Sequence, residues 1–147
     1  MDKPFVLLAD DNEATCTLIT ALLQGDFVVH VARDGGEAIE RLKTSQYSVI
    51  LLDLLMPVAD GYAVLDFLRA ERPDLLQQVL VVTASLAARE MQRLGDYNVR
   101  RVIPKPFEVD VLYSAARECA GLAGPSNLRG GLISGGMLLL LAEVLRV

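Results

Sequence analysis

The sequence predicts an α/β domain built on an open parallel sheet with helices on both faces. Short apolar runs recur along the chain, and each is nearly continuous in apolar residues rather than alternating with polar ones. Such runs are what strands buried on both faces require. Stretches with helical periodicity separate the runs, and a strand–helix alternation repeated five times gives an open sheet covered on both sides.

The elements follow in order. Pro4–Ala9 (PFVLLA) reads as the first strand, and Leu18, Ile19, Leu22 and Leu23 then share one helical face. Phe27–Ala32 (FVVHVA) reads as the second strand, followed by a helix with Ala38, Ile39 and Leu42 on its inner face. Ser48–Leu52 (SVILL) is the third strand, and Val64, Leu65 and Leu68 mark the next helix. Val79–Thr83 (VLVVT) is the fourth, with a weaker helical pattern from Leu86 to Asn98. Val102–Ile103 is the fifth, and Val109, Leu112 and Ala116 lie on the closing helix. Turn signals stand at Asp34-Gly35-Gly36, Asp60-Gly61 and Pro73-Asp74.

Composition narrows the function. The chain has 147 residues, room for one domain with a sizeable core. Hydrophobic residues make up 52% and charged residues 22%, a globular balance. The net charge of −5 argues against a nucleic-acid binder, which needs a basic face for phosphates. Cys16 and Cys119 are far apart and have no metal-site spacing. With no secretory pattern at the N-terminus, they read as reduced thiols of a cytoplasmic protein.

Open parallel sheets bind ligands at the carboxyl ends of their strands. The chain places Asp10-Asp11 after the first strand, Asp53 after the third, Thr83 at the end of the fourth and Lys105 after the fifth. Adjacent carboxylates repel, and a divalent cation would offset that repulsion. An all-oxygen set suits Mg²⁺, with Mn²⁺ as a second fit. A carboxylate can also act as a nucleophile towards phosphorus. Asp53, at the end of the central strand, is the candidate nucleophile. Asp10 and Asp11 are placed as metal ligands with Asp53, and the Leu55 backbone carbonyl as a further one. Lys105 and the Thr83 hydroxyl would each neutralise one phosphoryl oxygen.

These motifs together resemble the receiver domain of two-component response regulators. The matching residues are Asp10-Asp11, "DLLMPVADG" from Asp53 to Gly61, Thr83-Ala84, and "KPF" from Lys105 to Phe107, within a span from about Pro4 to about Leu122. The resemblance implies a flavodoxin-like, doubly wound five-stranded parallel sheet of order 2-1-3-4-5. It implies that Asp53 is the phosphoacceptor, Asp10 and Asp11 the acidic Mg²⁺ pair, Thr83 the switch hydroxyl and Lys105 the phosphoryl-binding lysine. It also implies a cis Lys105–Pro106 bond. The partners implied are a sensor histidine kinase or phosphotransfer protein as donor and a downstream protein target, with a homodimer allowed and no nucleic acid. Such a domain is a phosphoacceptor that assists its own phosphoryl transfer and hydrolysis, not a conventional enzyme. The alternative is a receiver-like interaction module that is not phosphorylated.

Two positions depart from the family pattern. Val102 stands where the family usually has a Tyr or Phe, so no rotating aromatic gate is available there. Arg100-Arg101 stands where acidic or small residues are more usual, and reads as a solvated surface pair. His30, the single histidine, reads as packing or strand surface rather than a phosphodonor. Cys16 and Cys119 read as packing residues within helices.

Two rival classes fit less well. A haloacid-dehalogenase-type phosphatase would place its nucleophile in an Asp-x-Asp pattern after the first strand, and here the pair is adjacent. A flavodoxin-like FMN binder needs a Ser/Thr/Gly-rich phosphate loop there, and "DDNEAT" is acidic.

The expected organisation is a receiver domain over residues 1–122, followed over 123–147 by a Gly/Pro-rich linker and a short apolar segment. The stretch "GLAGPSNLRGGLISGG" has linker composition. "MLLLLAEVLRV" follows it, too short an apolar run to span a bilayer. With no room for an output domain, the chain reads as a stand-alone receiver.

Overall fold

A computed structural model describes residues 2–122. The expected segment 123–147 lies outside the described residues. The elements are β1 (Phe5–Ala9), α1 (Glu13–Leu23), β2 (Val28–Ala32), α2 (Gly35–Thr44), β3 (Val49–Leu52), α3 (Gly61–Glu71), a 3₁₀ helix (Pro73–Gln78), β4 (Val79–Thr83), α4 (Ala88–Gly95), β5 (Arg101–Pro104) and α5 (Val109–Cys119). The five strands are parallel, in the order β2-β1-β3-β4-β5. This is the flavodoxin-like order the family resemblance implied.

The continuous apolar runs are explained by burial on both faces. Val6, Leu8, Val49, Leu51, Leu80 and Val82 point to one side, where they pack with α1 and α5. Leu7, Ala9, Ile50, Leu52, Val79 and Val81 point to the other, against α2, α3 and Leu94 of α4. The central strands β1, β3 and β4 are therefore apolar at nearly every position, whereas the edge strands β2 and β5 are only partly buried. Each fully buried leucine stabilises such a core by roughly 2 kcal/mol.

Three helices start on an Asx cap, a side-chain oxygen accepting from an otherwise unpaired N–H. Asn12 caps α1 at Thr15, Asp34 caps α2 at Glu37, and Asp60 caps α3 at Ala63. Two of the turn signals in the sequence, at Asp34 and Asp60, are thus helix starts. The third, at Pro73-Asp74, opens the 3₁₀ helix. Helix α4 is shorter than the Leu86–Asn98 pattern, and its N-terminal Ala87 offers no side-chain cap.

Residues given a structural reading fall as follows. His30 lies half-buried on edge strand β2, with Nδ1 2.9 Å from the Tyr47 hydroxyl oxygen. Both cysteines are buried and unpaired with each other. Arg100 and Arg101 are exposed, but Arg100 is more than solvated surface, because its Nε donates to the Gln77 carbonyl at 2.6 Å. A buried carboxylate that the motifs did not flag, Asp26, pairs with Arg117 of α5 at 3.1 Å and accepts from the Tyr113 hydroxyl. That pair fastens the turn before β2 to α5. Among the described residues, no helix is long and apolar enough to cross a membrane.

Candidate functional site

The sheet itself positions the chemical groups. The parallel ladder continues past each strand end into the residues that follow. The Asp10 N–H donates to the Ala32 carbonyl at 3.0 Å, the Asp53 N–H to Ala9 at 3.0 Å, and the Lys105 N–H to Thr83 at 2.8 Å. Asp10, Asp53 and Lys105 are therefore fixed by strand pairing and not by loop packing. The Lys105–Pro106 bond that follows is cis, as expected.

Asp10, Asp53 and Lys105 meet at this edge. Lys105 Nζ lies 2.7 Å from Asp10 Oδ2 and 3.4 Å from Asp53 Oδ2. Asp10 Oδ1 accepts from the Asn12 N–H at 2.8 Å, and Asp53 Oδ1 from the Leu55 N–H at 3.2 Å. Both aspartates are buried, whereas Asp11 and Leu55 are exposed at the mouth. Thr83 is fully buried, and its Oγ1 accepts from the Ser85 N–H at 3.2 Å.

The electrostatics follow from burial. Removal from water raises the Asp53 carboxyl above the usual carboxylate range; the Lys105 ammonium opposes this and the neighbouring Asp10 reinforces it. Burial works against the charged form of Lys105, but the bond and charge of Asp10, with Asp53 adding to them, leave its ammonium raised overall. Lys105 is thus a cation held in place by two carboxylates.

Asp10, Asp11 and Asp53 each offer an oxygen within 4.8 Å of the others. Among the described residues, this cluster consists of carboxylates alone. It fits a hard divalent cation such as Mg²⁺.

The loop behind the aspartates was less visible in the sequence. A Cβ on Gly61 would stand 2.5 Å from the Asp53 carbonyl oxygen and 2.7 Å from Leu54 Cα, so α3 starts directly against the end of β3. The Gly61 N–H also donates to the Leu54 carbonyl at 3.0 Å. Val58, between them, is 94% exposed and has a φ of 66°, the left-handed region that a β-branched residue enters only at a cost. Asn12 is a further residue missed. It caps α1 through its side chain while its N–H orients Asp10, and an Asn before a helical pattern was the available signal.

Comparison with known proteins supplies the wider frame. Residues 6–117 match the family model described as the response regulator receiver domain. The peroxide stress-activated histidine kinase mak2 of Schizosaccharomyces pombe is 33% identical over 126 residues, which covers 80% of this chain but 6% of that kinase. The chain thus spans only a small part of that relative's length. Among solved structures, the Francisella response regulator 1452 receiver domain superposes with a TM-score of 0.73 at 27% identity, covering 81% of this chain and 98% of its own. The receiver domain of a sensor histidine kinase from Pseudomonas aeruginosa PAO1 gives a TM-score of 0.73 at 25% identity, covering 82% of this chain and 99% of its own. In that structure a magnesium ion is coordinated in the active-site cleft.

Proposed function

Because the chain belongs to the response regulator receiver domain family, we propose that it is a phosphorylation switch in which Asp53 accepts a phosphoryl group. The observation that carries this reading is the contact of Lys105 with both Asp10 and Asp53 at the strand ends. An Asp53 carboxylate oxygen attacks the donor's phosphorus, the bond to the leaving group breaks, and an acyl phosphate forms. Lys105 carries positive charge to one phosphoryl oxygen, and the Thr83 hydroxyl hydrogen-bonds a second. The Leu55 N–H holds one Asp53 oxygen, which leaves the other for the attack. Mg²⁺ bound by Asp10, Asp11, Asp53 and the Leu55 backbone carbonyl would supply further charge to a phosphoryl oxygen.

On this reading the donor is a sensor histidine kinase or a phosphotransfer protein, and the output is a protein-interaction surface reshaped by the new charge. Residues 1–122 form the receiver, with 123–147 as linker and apolar segment. The setting is the cytoplasm, where Cys16 and Cys119 stay reduced.

Intact mass after incubation with acetyl phosphate tests this, with and without Mg²⁺, on wild type and Asp53→Asn. The expected result is a Mg²⁺-dependent gain of one phosphoryl group in wild type alone. No gain in wild type would make the chain a receiver-like interaction module.

A further inference from the structure

Helix α4 is weakly built as an isolated element. It has 8 residues, no side-chain N-cap, and a single buried residue, Leu94. Helices this short are marginal in water and depend on tertiary contacts. Side-chain contacts tie α4 and the turn after it to α3, and Gln77 of the 3₁₀ helix adds a bond to the Asn98 carbonyl at 2.6 Å. The Tyr62 hydroxyl, at the second residue of α3, donates to Glu90 of α4. The Arg93 guanidinium of α4 stacks 3.5 Å from the centroid of the Tyr62 ring. Just past α4, the Tyr97 hydroxyl donates to Asp66 of α3 at 2.6 Å, while Arg69 of α3 lies over the Tyr97 ring at 4.5 Å.

Tyr62 is also next to the phosphoacceptor loop. It follows Gly61, which packs against the Asp53 carbonyl, and Asp60, whose side chain caps α3. The first turn of α3, which carries Tyr62, therefore starts directly on residues 53–61. Val102 of β5, packed against the same core as Leu94, is half-buried and has no polar atom or ring to link α4 to the site.

We propose that the Tyr62–Glu90 hydrogen bond, backed by Arg93 on the Tyr62 ring, is the latch through which the state of the Asp53 loop sets the docking of α4. The inference rests on the reading of Asp53 as phosphoacceptor and names how that site is coupled to a surface. In the unmodified protein the latch is closed, with the Tyr62 hydroxyl protonated and buried against a carboxylate. That environment pushes its pKa up to about 12, burial first and the Glu90 bond second. Phosphorylation moves the 53–61 loop, shifts Tyr62 from Glu90 and loosens α4.

Hydrogen exchange of the 88–95 amides tests this in wild type, Tyr62→Phe and Glu90→Gln. Tyr62→Phe keeps the ring that Arg93 covers and removes only the donor. Exchange over 88–95 should be about tenfold faster in unmodified Tyr62→Phe than in wild type, as expected for loss of a hydrogen bond to a charged group. Glu90→Gln, which keeps a neutral acceptor, should fall between them. With acetyl phosphate and Mg²⁺, wild-type exchange should rise towards the Tyr62→Phe value, while Tyr62→Phe should change no further. Equal exchange in unmodified wild type and Tyr62→Phe overturns the latch, and so does a phosphodonor response of full size in Tyr62→Phe. Intact mass on the same samples separates the two claims. A mass gain with no change over 88–95 refutes the coupling alone, whereas no gain in wild type refutes the phosphoacceptor reading and the coupling with it.

Discussion

Lys105 Nζ sits 2.7 Å from Asp10 Oδ2, an ion pair that joins the residue after β5 to the residue after β1 across the strand-end cleft. With Asp53 at 3.4 Å, one ammonium serves two buried carboxylates. Lys105→Met should therefore destabilise the metal-free protein by about 3 kcal/mol at neutral pH, because it leaves Asp10 and Asp53 buried without a counter-charge. The sign with pH follows from Asp53. Its folded pKa lies above the unfolded value, so its ionisation costs stability at neutral pH, and that cost is relieved as pH falls through the folded pKa. The raised Lys105 pKa acts oppositely: its contribution is full below the unfolded lysine value and is lost as pH rises through the folded one. Urea unfolding of the Lys105→Met protein in EDTA should show a deficit that shrinks on acidification and on addition of MgCl₂. A deficit that neither condition reduces would mean that the lysine acts only through packing.

The 53–61 loop holds a strained residue with nothing packed on it. Val58, at φ 66° and 94% exposed, gains no burial for its left-handed backbone. Val58→Gly should raise stability by about 1 kcal/mol, the left-handed penalty less the extra entropy of glycine. The midpoint of chemical unfolding checks this. A lower midpoint would show that the valine makes a compensating contact.

Gly61 should tolerate no side chain. The added methyl of Gly61→Ala meets backbone atoms of Asp53 and Leu54, which cannot swing aside as a flexible side chain would. We expect a loss of about 2 kcal/mol and a slower rate of modification by acetyl phosphate, since α3 must back away from β3. Thermal melting and a timed intact-mass assay read the two effects. Wild-type values for both would show that the β3–α3 junction has slack.

The two thiols should be inert in the folded state. Burial raises Cys16 to about 11, with the Asp10 charge adding to it, and burial likewise raises Cys119. Thiolate is the reactive form, so both should label slowly with a disulfide reagent at pH 8 and rapidly in urea. Fast labelling of either in the native protein would contradict the packing of α1 or α5.

The fold was legible because burial on both faces removes the polar half of each strand. Leu7 and Leu8 point to opposite cores, and both must be apolar. The strand-end residues were legible because charge immediately after such a run is costly without a purpose, as at Asp10 and Asp53. Long-range side-chain pairing was not. Nothing in the spacing of Tyr62 and Glu90, or of Asp26 and Arg117, shows that they meet, because contacts made by a helix depend on how that helix is rotated on the sheet. The backbone of Val58 was equally hidden, since valine carries no signal for positive φ.

The most direct test of the central claim is to locate the acyl phosphate by borohydride reduction. Hydride converts an aspartyl phosphate to homoserine with release of phosphate, and peptide mass mapping then finds the altered residue. Treated with acetyl phosphate and Mg²⁺, the protein should carry homoserine at position 53 and leave Asp10 and Asp11 unchanged. Homoserine at position 10 or 11, or at no position despite reduction of a control acyl phosphate, would contradict Asp53 as the phosphoacceptor.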